Sequence, residues 1–239
     1  MTASSGKRYL HLSLLSLLLA GAATAHASTC YGRVAAGSIL GAVKLPSSGT
    51  NFEAYSGIGV AMGRTYVHSR VRDLMLDAYG ALARRLPAKR YVYGETGLAK
   101  GGRMRPHRTH QNGLSVDFMV PVLDDRGRSV PLPVTPLNKF GYDLEFSARG
   151  VAGGLRIDYE AMAEHLYELA EAARRREVGM ALVIFDTSLM PALMKTARGD
   201  YLRGLPFMKA RPWIRHDEHY HVDFAVPCGP LPPGAAPKV

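Results

Sequence analysis

Apolar residues recur at every third or fourth position in two long stretches of the chain, which is the spacing of one helix face. The first stretch covers residues 66–86 and stops at Pro87. The second covers residues 158–178 and begins at Asp158, a good N-cap. A weaker pattern predicts a short helix over residues 189–198. The apolar positions of the two long helices are Val67, Val71, Leu74, Met75, Ala78, Leu82 and Leu86, and Met162, Leu166, Leu169, Ala170 and Ala173.

Shorter stretches have strand character, and they are scattered unevenly among the helices. They cover residues 90–96, 114–122, 180–185 and 219–226. Residues 30–56 and 129–154 are punctuated by glycine, serine and proline, so we expect a wrapped N-terminal arm and an irregular segment containing a short strand pair. This arrangement does not form a regular βαβ series. It predicts one α+β domain with a central, mainly antiparallel sheet flanked by helices.

The first residues have the features of an export signal. Lys7 and Arg8 precede a mostly apolar run, which ends in Ala25-His26-Ala27. The run is too short for a comfortable transmembrane helix, and no later segment has that length. We predict a signal peptide over residues 1–27, a domain over residues 28–228, a flexible Pro/Gly tail over residues 229–239 and a periplasmic location without a membrane span.

The formal net charge of the chain is +10, so a partner of opposite charge has to be considered. Export makes nucleic acid a poor candidate, and the basic residues are not interleaved with aromatic ones as in a binding face. An anionic wall polymer would attract such a protein. Any single run, such as Arg84-Arg85, is better explained as solvated charge at a helix end.

The two cysteines, Cys30 and Cys228, form an even pair in an exported chain, which predicts one disulfide. It closes a very long loop, worth about 4–5 kcal/mol in the chain-entropy account. Lipid modification of Cys30 is the alternative, but the residues before it lack the leucine that such sites usually carry.

Histidines concentrate in residues 106–117 and residues 213–223. His219 and His221 are two positions apart on a predicted strand, so both leave the same face, about 6.6 Å apart. At that spacing one imidazole can bind a metal while the other stands beside a water molecule on it. A His-x-His pair in a strand is also often an ordinary surface feature, so this motif does not establish a site by itself.

His110 lies in a loop and Asp117 on the strand that follows, while Gly113 allows the chain between them to fold back. A His/His/Asp set with an open fourth position is the catalytic pattern of zinc. Zinc lowers the pKa of water and polarises a scissile carbonyl. The sequence therefore predicts Zn²⁺ as cofactor.

These segments resemble those of a known family. Residues 94–118, which hold His107, His110 and Asp117, are similar to the penicillin-insensitive murein endopeptidases, within the group of lysostaphin-like and D-alanyl-D-alanine metallopeptidases. The resemblance extends over most of the chain after the leader. Its other carriers are Cys30-Tyr31-Gly32, Asn51-Phe52, Gly63-Arg64-Thr65-Tyr66-Val67-His68, Arg211-Pro212-Trp213, His216, His219 and His221.

The resemblance implies that His110, Asp117 and His221 bind zinc, with His107 as a further ligand in some relatives. It implies that His219 is the general base and that His216 supports it. The substrate would be the D-alanyl to meso-diaminopimelyl cross-link of murein (peptidoglycan). Two alternatives stay open: a D,D-carboxypeptidase using the same site, and a wall-binding protein without turnover.

Glu218 competes with His219 for the role of base, because related D,D-peptidases place a glutamate three residues before the metal-binding histidine. Strand alternation favours His219, since Glu218 is expected to face away from His221. Asp223 continues the face of His219 and is a candidate to orient a ligand.

Three arginines of the first histidine segment and the loop before it are candidates to bind a substrate carboxylate or a tetrahedral intermediate. Each of them, taken alone, is better explained as a solvated loop charge. They are Arg103, Arg105 and Arg108.

Overall fold

The computed structural model of the chain describes residue 1 and residues 27–231. Its helices are Gly57–Ala61 (α1), Ser69–Arg85 (α2), Tyr159–Arg175 (α3), Met190–Leu193 (α4) and Gly199–Leu202 (α5), with a 3-10 turn at Pro136–Gly141. Its strands are Thr29–Arg33 (β1), Ala36–Leu40 (β2), Val43–Lys44 (β3), Phe52–Ala54 (β4), Tyr66–Val67 (β5), Tyr91–Tyr93 (β6), Ser115–Met119 (β7), Val122–Leu123 (β8), Ser129–Val130 (β9), Val151–Ala152 (β10), Leu155–Ile157 (β11), Gly179–Ile184 (β12) and His219–Ala225 (β13).

The central sheet has five strands in the order β12–β13–β7–β6–β4. Its neighbours pair antiparallel except β4 and β6, which are parallel. The predicted α+β class is therefore confirmed, including the mainly antiparallel sheet and its flanking helices. The last strand in sequence, β13, lies between β12 and β7, so the sheet joins distant parts of the chain at its centre.

Strands β7 and β13 have one polar and one apolar face, and both faces are buried. In β7, Asp117 alternates with Val116 and Phe118, and β13 alternates in the same way from His219 to Phe224. Side chains of successive strand residues point to opposite faces. The sheet thus separates an apolar core from a layer of buried charged groups.

Helices α2 and α3 cover the apolar face, as their spacing predicts. His68 is the N-cap of α2, and its Nδ1 accepts a hydrogen bond from the Arg70 N–H at 3.2 Å. Asp158 caps α3 by accepting from the Ala161 N–H at 3.1 Å. His165 of α3 is buried in this core, where its Nδ1 hydrogen-bonds the Tyr220 hydroxyl.

The N-terminal arm is more regular than its composition suggests. Within the segment predicted as a wrapped arm over residues 30–56, strands β1 and β2 form an antiparallel hairpin. Gly32, at a φ of 67°, and Gly37 face each other across this hairpin. The predicted disulfide is present: Cys30 and Cys228 are bonded, with their Cα atoms 4.8 Å apart.

The helix predicted over residues 189–198 is shorter, since only α4 forms within that range and α5 begins just after it. The helix α4 ends at Leu193, and the Thr196 hydroxyl donates to the Leu193 carbonyl at 2.7 Å. Such a side chain bond competes with continuation of the helix. The chain restarts as α5 at Gly199, where an added Cβ would lie 2.2 Å from the Met194 carbonyl oxygen.

The predicted signal peptide falls almost entirely outside the described residues, as do residues 232–239 of the predicted tail. The start of that tail is paired, because the Gly229 N–H donates to the Cys30 carbonyl at 2.9 Å and its own carbonyl accepts from Gly32. Among residues 27–231, no helix combines the length and apolar composition needed to cross a bilayer.

Candidate metal centre

Asp117 is the centre of the buried polar layer. Antiparallel pairing of β7 and β13 places it directly opposite His221, and Asp117 Oδ1 lies 2.8 Å from His221 Nδ1. The same oxygen lies 3.2 Å from His110 Nε2. The structure therefore brings together the three side chains from which the sequence predicts the zinc site.

His110 presents a free lone pair to Asp117. Its Nδ1–H donates to the Thr96 carbonyl at 3.1 Å, and burial lowers its pKa, so the ring is neutral. Its Nε2 is fully buried and has no hydrogen-bond partner among the described residues. A nitrogen lone pair and a carboxylate oxygen thus face each other at 3.2 Å, which is an arrangement that a cation between them would stabilise.

The backbone around His110 explains how the loop reaches this position. His110 has a φ of 68°, in the left-handed region that few residues other than glycine adopt. Gly113 has a φ of 76°, and a Cβ there would lie 2.8 Å from the backbone nitrogen of His68. Gly113 therefore allows the fold-back that the sequence predicts.

His107 joins the same group from the exposed side. Its Nδ1 lies 3.8 Å from Asp117 Oδ2, and its Nε2–H donates to the Glu95 carboxylate. The ligand atoms of His107, His110 and Asp117 all lie within 4.8 Å of one another, which is compatible with a metal ion. His107 is thus as close to the centre as the resemblance to some relatives implies.

His221 lies between two carboxylates. Its Nε2 is 2.8 Å from Asp223 Oδ1, and that same oxygen accepts from the Ser115 hydroxyl at 2.6 Å. Burial by itself lowers the pKa of His221, but Asp223 and Asp117 raise it to about 10. Asp223 therefore contacts His221 as an orienting group would, on the ring nitrogen away from Asp117.

His219 and Glu218 form a hydrogen-bonded pair. The His219 Nδ1–H donates to Glu218 Oε1 at 2.8 Å, and although burial lowers its pKa, the Glu218 charge raises it. The expectation that Glu218 faces away from His221 is wrong, since both line one cavity. Glu218 precedes the first residue of β13, so strand alternation does not fix the direction of its side chain.

His216 completes a row of histidines beside this pair. Its ring centre is 4.6 Å from that of His219, and its Nδ1–H donates to the Ile214 carbonyl at 2.8 Å. Burial lowers the pKa of His216 to about 4, so it is a neutral neighbour of His219. It can support the position of that ring without adding charge.

A cavity of about 840 Å³ contains Asp117, His219 and His221 in its lining. Trp213 also lines it, and the Arg108 guanidinium lies 5.5 Å from the centre of the Trp213 ring. Arg108 is thus the candidate arginine that reaches the cavity. Arg103 and Arg105 are exposed and stand outside the described lining.

Among the lining residues that were not predicted from the sequence, three lie beside the candidate ligands. Tyr142 donates its hydroxyl to Asp117 Oδ2 at 2.9 Å, and Gly94 leaves room for that hydroxyl. Glu95 and Arg64 form an ion pair beside His107. Glu95 and Arg64 lie in the segments that resemble the family, but Tyr142 lies in the stretch that was expected to be irregular.

The sequence of the chain is similar to those of known proteins. A 192-residue region, 80% of this chain, is 26% identical to a penicillin-insensitive murein endopeptidase of Haemophilus influenzae. It spans 61% of that protein. The family described as penicillin-insensitive murein endopeptidase matches residues 30–232, which include every candidate ligand above. The chain belongs to the penicillin-insensitive murein endopeptidase family.

Proposed function

We propose that this protein is a zinc-dependent endopeptidase that hydrolyses the D-alanyl to meso-diaminopimelyl cross-links of peptidoglycan. The observation that carries the proposal is the pairing of Asp117 with His221 across β7 and β13, with the unpartnered His110 Nε2 facing the same carboxylate. Membership of a murein endopeptidase family supports the reaction class and the substrate.

The donor set fits zinc. His110, Asp117 and His221 offer two imidazole nitrogens and a carboxylate oxygen, and His107 is the further candidate. Tetrahedral ligands about 2.0–2.1 Å from zinc are about 3.3 Å from one another. The observed separation of 3.2 Å between His110 Nε2 and Asp117 Oδ1 is close to that value. When bound, zinc would lower the pKa of water and polarise the scissile carbonyl.

His219 is the proton carrier in this proposal. Because the Nδ1–H of His219 is hydrogen-bonded to Glu218, its Nε2 atom is the one that exchanges a proton with the reactants. It takes a proton from the attacking water and returns it to the leaving amine. Glu218 therefore orients the base and raises its basicity rather than acting as the base, and His216 packs beside it.

The cavity is suited to an anionic peptide. Cross-linked stem peptides carry carboxylates, and Arg108 supported on Trp213 offers a guanidinium for one of them. The exposed Arg103 and Arg105 add positive charge to the same loop. With the net charge of +10, these arginines would favour approach to an anionic wall polymer.

We place the protein in the periplasm. The Cys30–Cys228 disulfide fits an oxidising compartment, and murein is the substrate class named by the family. The predicted leader accounts for the export.

Cross-linked muropeptide dimers and monomeric pentapeptides separate the proposal from its alternatives. With zinc, the dimer should be cleaved while the terminal D-alanine of the monomer is retained. Release of that D-alanine without cleavage of the dimer would identify a carboxypeptidase. No turnover of either substrate, with binding to purified murein retained, would identify a wall-binding protein.

The metal requirement is tested on the same substrates. A chelator should abolish cleavage and zinc should restore it. Full activity of the His110→Ala variant would contradict the proposed metal centre.

A further inference from the structure

We propose that Arg64 and Glu95 form a clamp that positions His107 at the metal centre. The inference rests on the proposed function and extends it to residues outside the ligand set. The clamp acts at two points, one on the side chain of His107 and one on the backbone of the loop that carries it.

The first point is the Glu95 carboxylate, which is only 7% exposed. It accepts hydrogen bonds from the Tyr55 hydroxyl at 2.7 Å, from Nη2 of Arg64 at 2.8 Å and from Nε2 of His107. A buried carboxylate needs such partners because its water is gone. Tyr55 and Arg64 hold Glu95 in place, so its bond to His107 has a fixed direction.

The second point is the backbone of the loop. The same Nη2 of Arg64 also donates to the Arg105 carbonyl oxygen at 2.8 Å. Arg105 lies two residues before His107, in a segment without helix or strand. One guanidinium therefore ties the loop backbone to the carboxylate that holds the ring, as its planar fork of donors allows.

These two contacts fix the ring orientation and the tautomer of His107. Because Nε2–H donates to Glu95, Nδ1 is the ring atom whose lone pair can be offered to a metal. That atom lies 3.8 Å from Asp117 Oδ2, on the side of the candidate ligands. A carboxylate on the outer nitrogen of a histidine is a common way to orient a metal ligand and raise its basicity.

Glu95 has more hydrogen-bond partners than an ion pair with Arg64 requires. Arg64 already gives Glu95 two hydrogen bonds through Nε and Nη2. The molecule has another buried glutamate, Glu168, which pairs with Arg85 and contacts no candidate ligand. Glu95 differs from Glu168 in holding a histidine of the site as well, so Glu168 provides a matched control.

The test measures zinc affinity of the metal-free full-length protein by competition with a chromophoric chelator. In Glu95→Gln, the amide cannot accept from Arg64 and His107 as the carboxylate does. We expect zinc to bind about 10- to 100-fold more weakly. The Glu168→Gln variant, which loses a comparable ion pair, should bind zinc like the wild type. Thermal melts of both metal-free variants check folding.

A double-mutant cycle shows whether Glu95 acts through His107. His107→Ala should weaken zinc binding by a similar factor, and adding Glu95→Gln to it should cause little further loss. Additive losses, or wild-type affinity in Glu95→Gln, would overturn the clamp.

A milder variant covers the case in which Glu95→Gln does not fold. Arg64→Lys keeps the charge but replaces the fork by a single ammonium, which cannot reproduce both contacts; a loss of about tenfold in zinc affinity is expected. Unchanged affinity in this variant would also overturn the clamp. If the wild-type protein binds no zinc, the proposed function itself fails, which is a different result from wild-type affinity in the variants.

Discussion

Two buried histidines lie on opposite sides of strands β7 and β13, and their pKa values are shifted in opposite directions. On the polar face, Asp117 and Asp223 raise the pKa of His221 to about 10 despite its burial. On the apolar face, burial lowers the pKa of His165 to about 3. Both side chains are buried, so the difference between their pKa values comes from the neighbouring charges.

The comparison shows where a cation can be held. His165 stacks on Tyr79 and Tyr91, with ring centres 5.1 Å away in each case, and its surroundings offer aromatic faces. The polar face offers carboxylates that compensate a positive charge. Only the second environment suits a metal, although each side of the sheet has a buried histidine against it.

The largest expected effect comes from removing the carboxylate that defines the polar face. We expect Asp117→Ala to lower the rate of the proposed cross-link cleavage by at least about 10³-fold, because a proposed metal ligand is lost. His165→Phe should keep the rate within about tenfold of the wild type, since His165 belongs to the core. Muropeptide hydrolysis followed by chromatography measures both rates. Equal losses of rate in the two variants would contradict the distinction between the faces.

A smaller effect concerns stability against pH on the apolar face. The pKa of His165 is about 6.5 in the unfolded chain, whereas in the folded protein it is about 3. The folded state therefore binds fewer protons, so the stability linked to His165 is complete above pH 6.5 and falls as the pH decreases towards 3.

The measurement compares wild type and His165→Phe by urea unfolding with a chelator present. Between pH 7 and pH 4 the wild type should lose about 3 kcal/mol more unfolding free energy than the variant. The same pH dependence in both proteins would assign that loss to other groups.

The smallest predicted change concerns Glu218, at the edge of the polar face. Glu218→Gln keeps the shape beside His219 but removes the charge, so we expect kcat to decrease about tenfold with little change in KM. His219→Ala should decrease kcat about 10²- to 10⁴-fold, as loss of a general base does. If Glu218→Gln were the more damaging of the two in steady-state assays, Glu218 would be the base.

Local patterns predicted much of the fold. The apolar spacing located α2 and α3, and the two histidine segments lie on or beside β7 and β13. The continuous helix over residues 189–198 failed because the Thr196 side chain bonds the backbone of α4, which periodicity does not reveal.

The remaining features of the site depend on contacts between distant segments. That Asp117 lies opposite His221 follows from the register of β7 with β13, which neither strand specifies by itself. Tyr142 reaches Asp117 from a stretch with no periodic pattern. Glu95 meets Arg64 only because their loops fold together, so spacing along the chain could not identify the pair.

The interior position of β13 in the sheet also determines when the sheet can be completed during biosynthesis. A chain emerging from its N-terminus would present β12 and β7 before the strand that joins them, and His219 and His221 would arrive last. Until then Asp117 has no His221 opposite it, and Cys30 has no Cys228 with which to bond. A partly synthesised chain therefore lacks the complete candidate site, and the proposed activity would begin only after β13 has paired with β7 and β12.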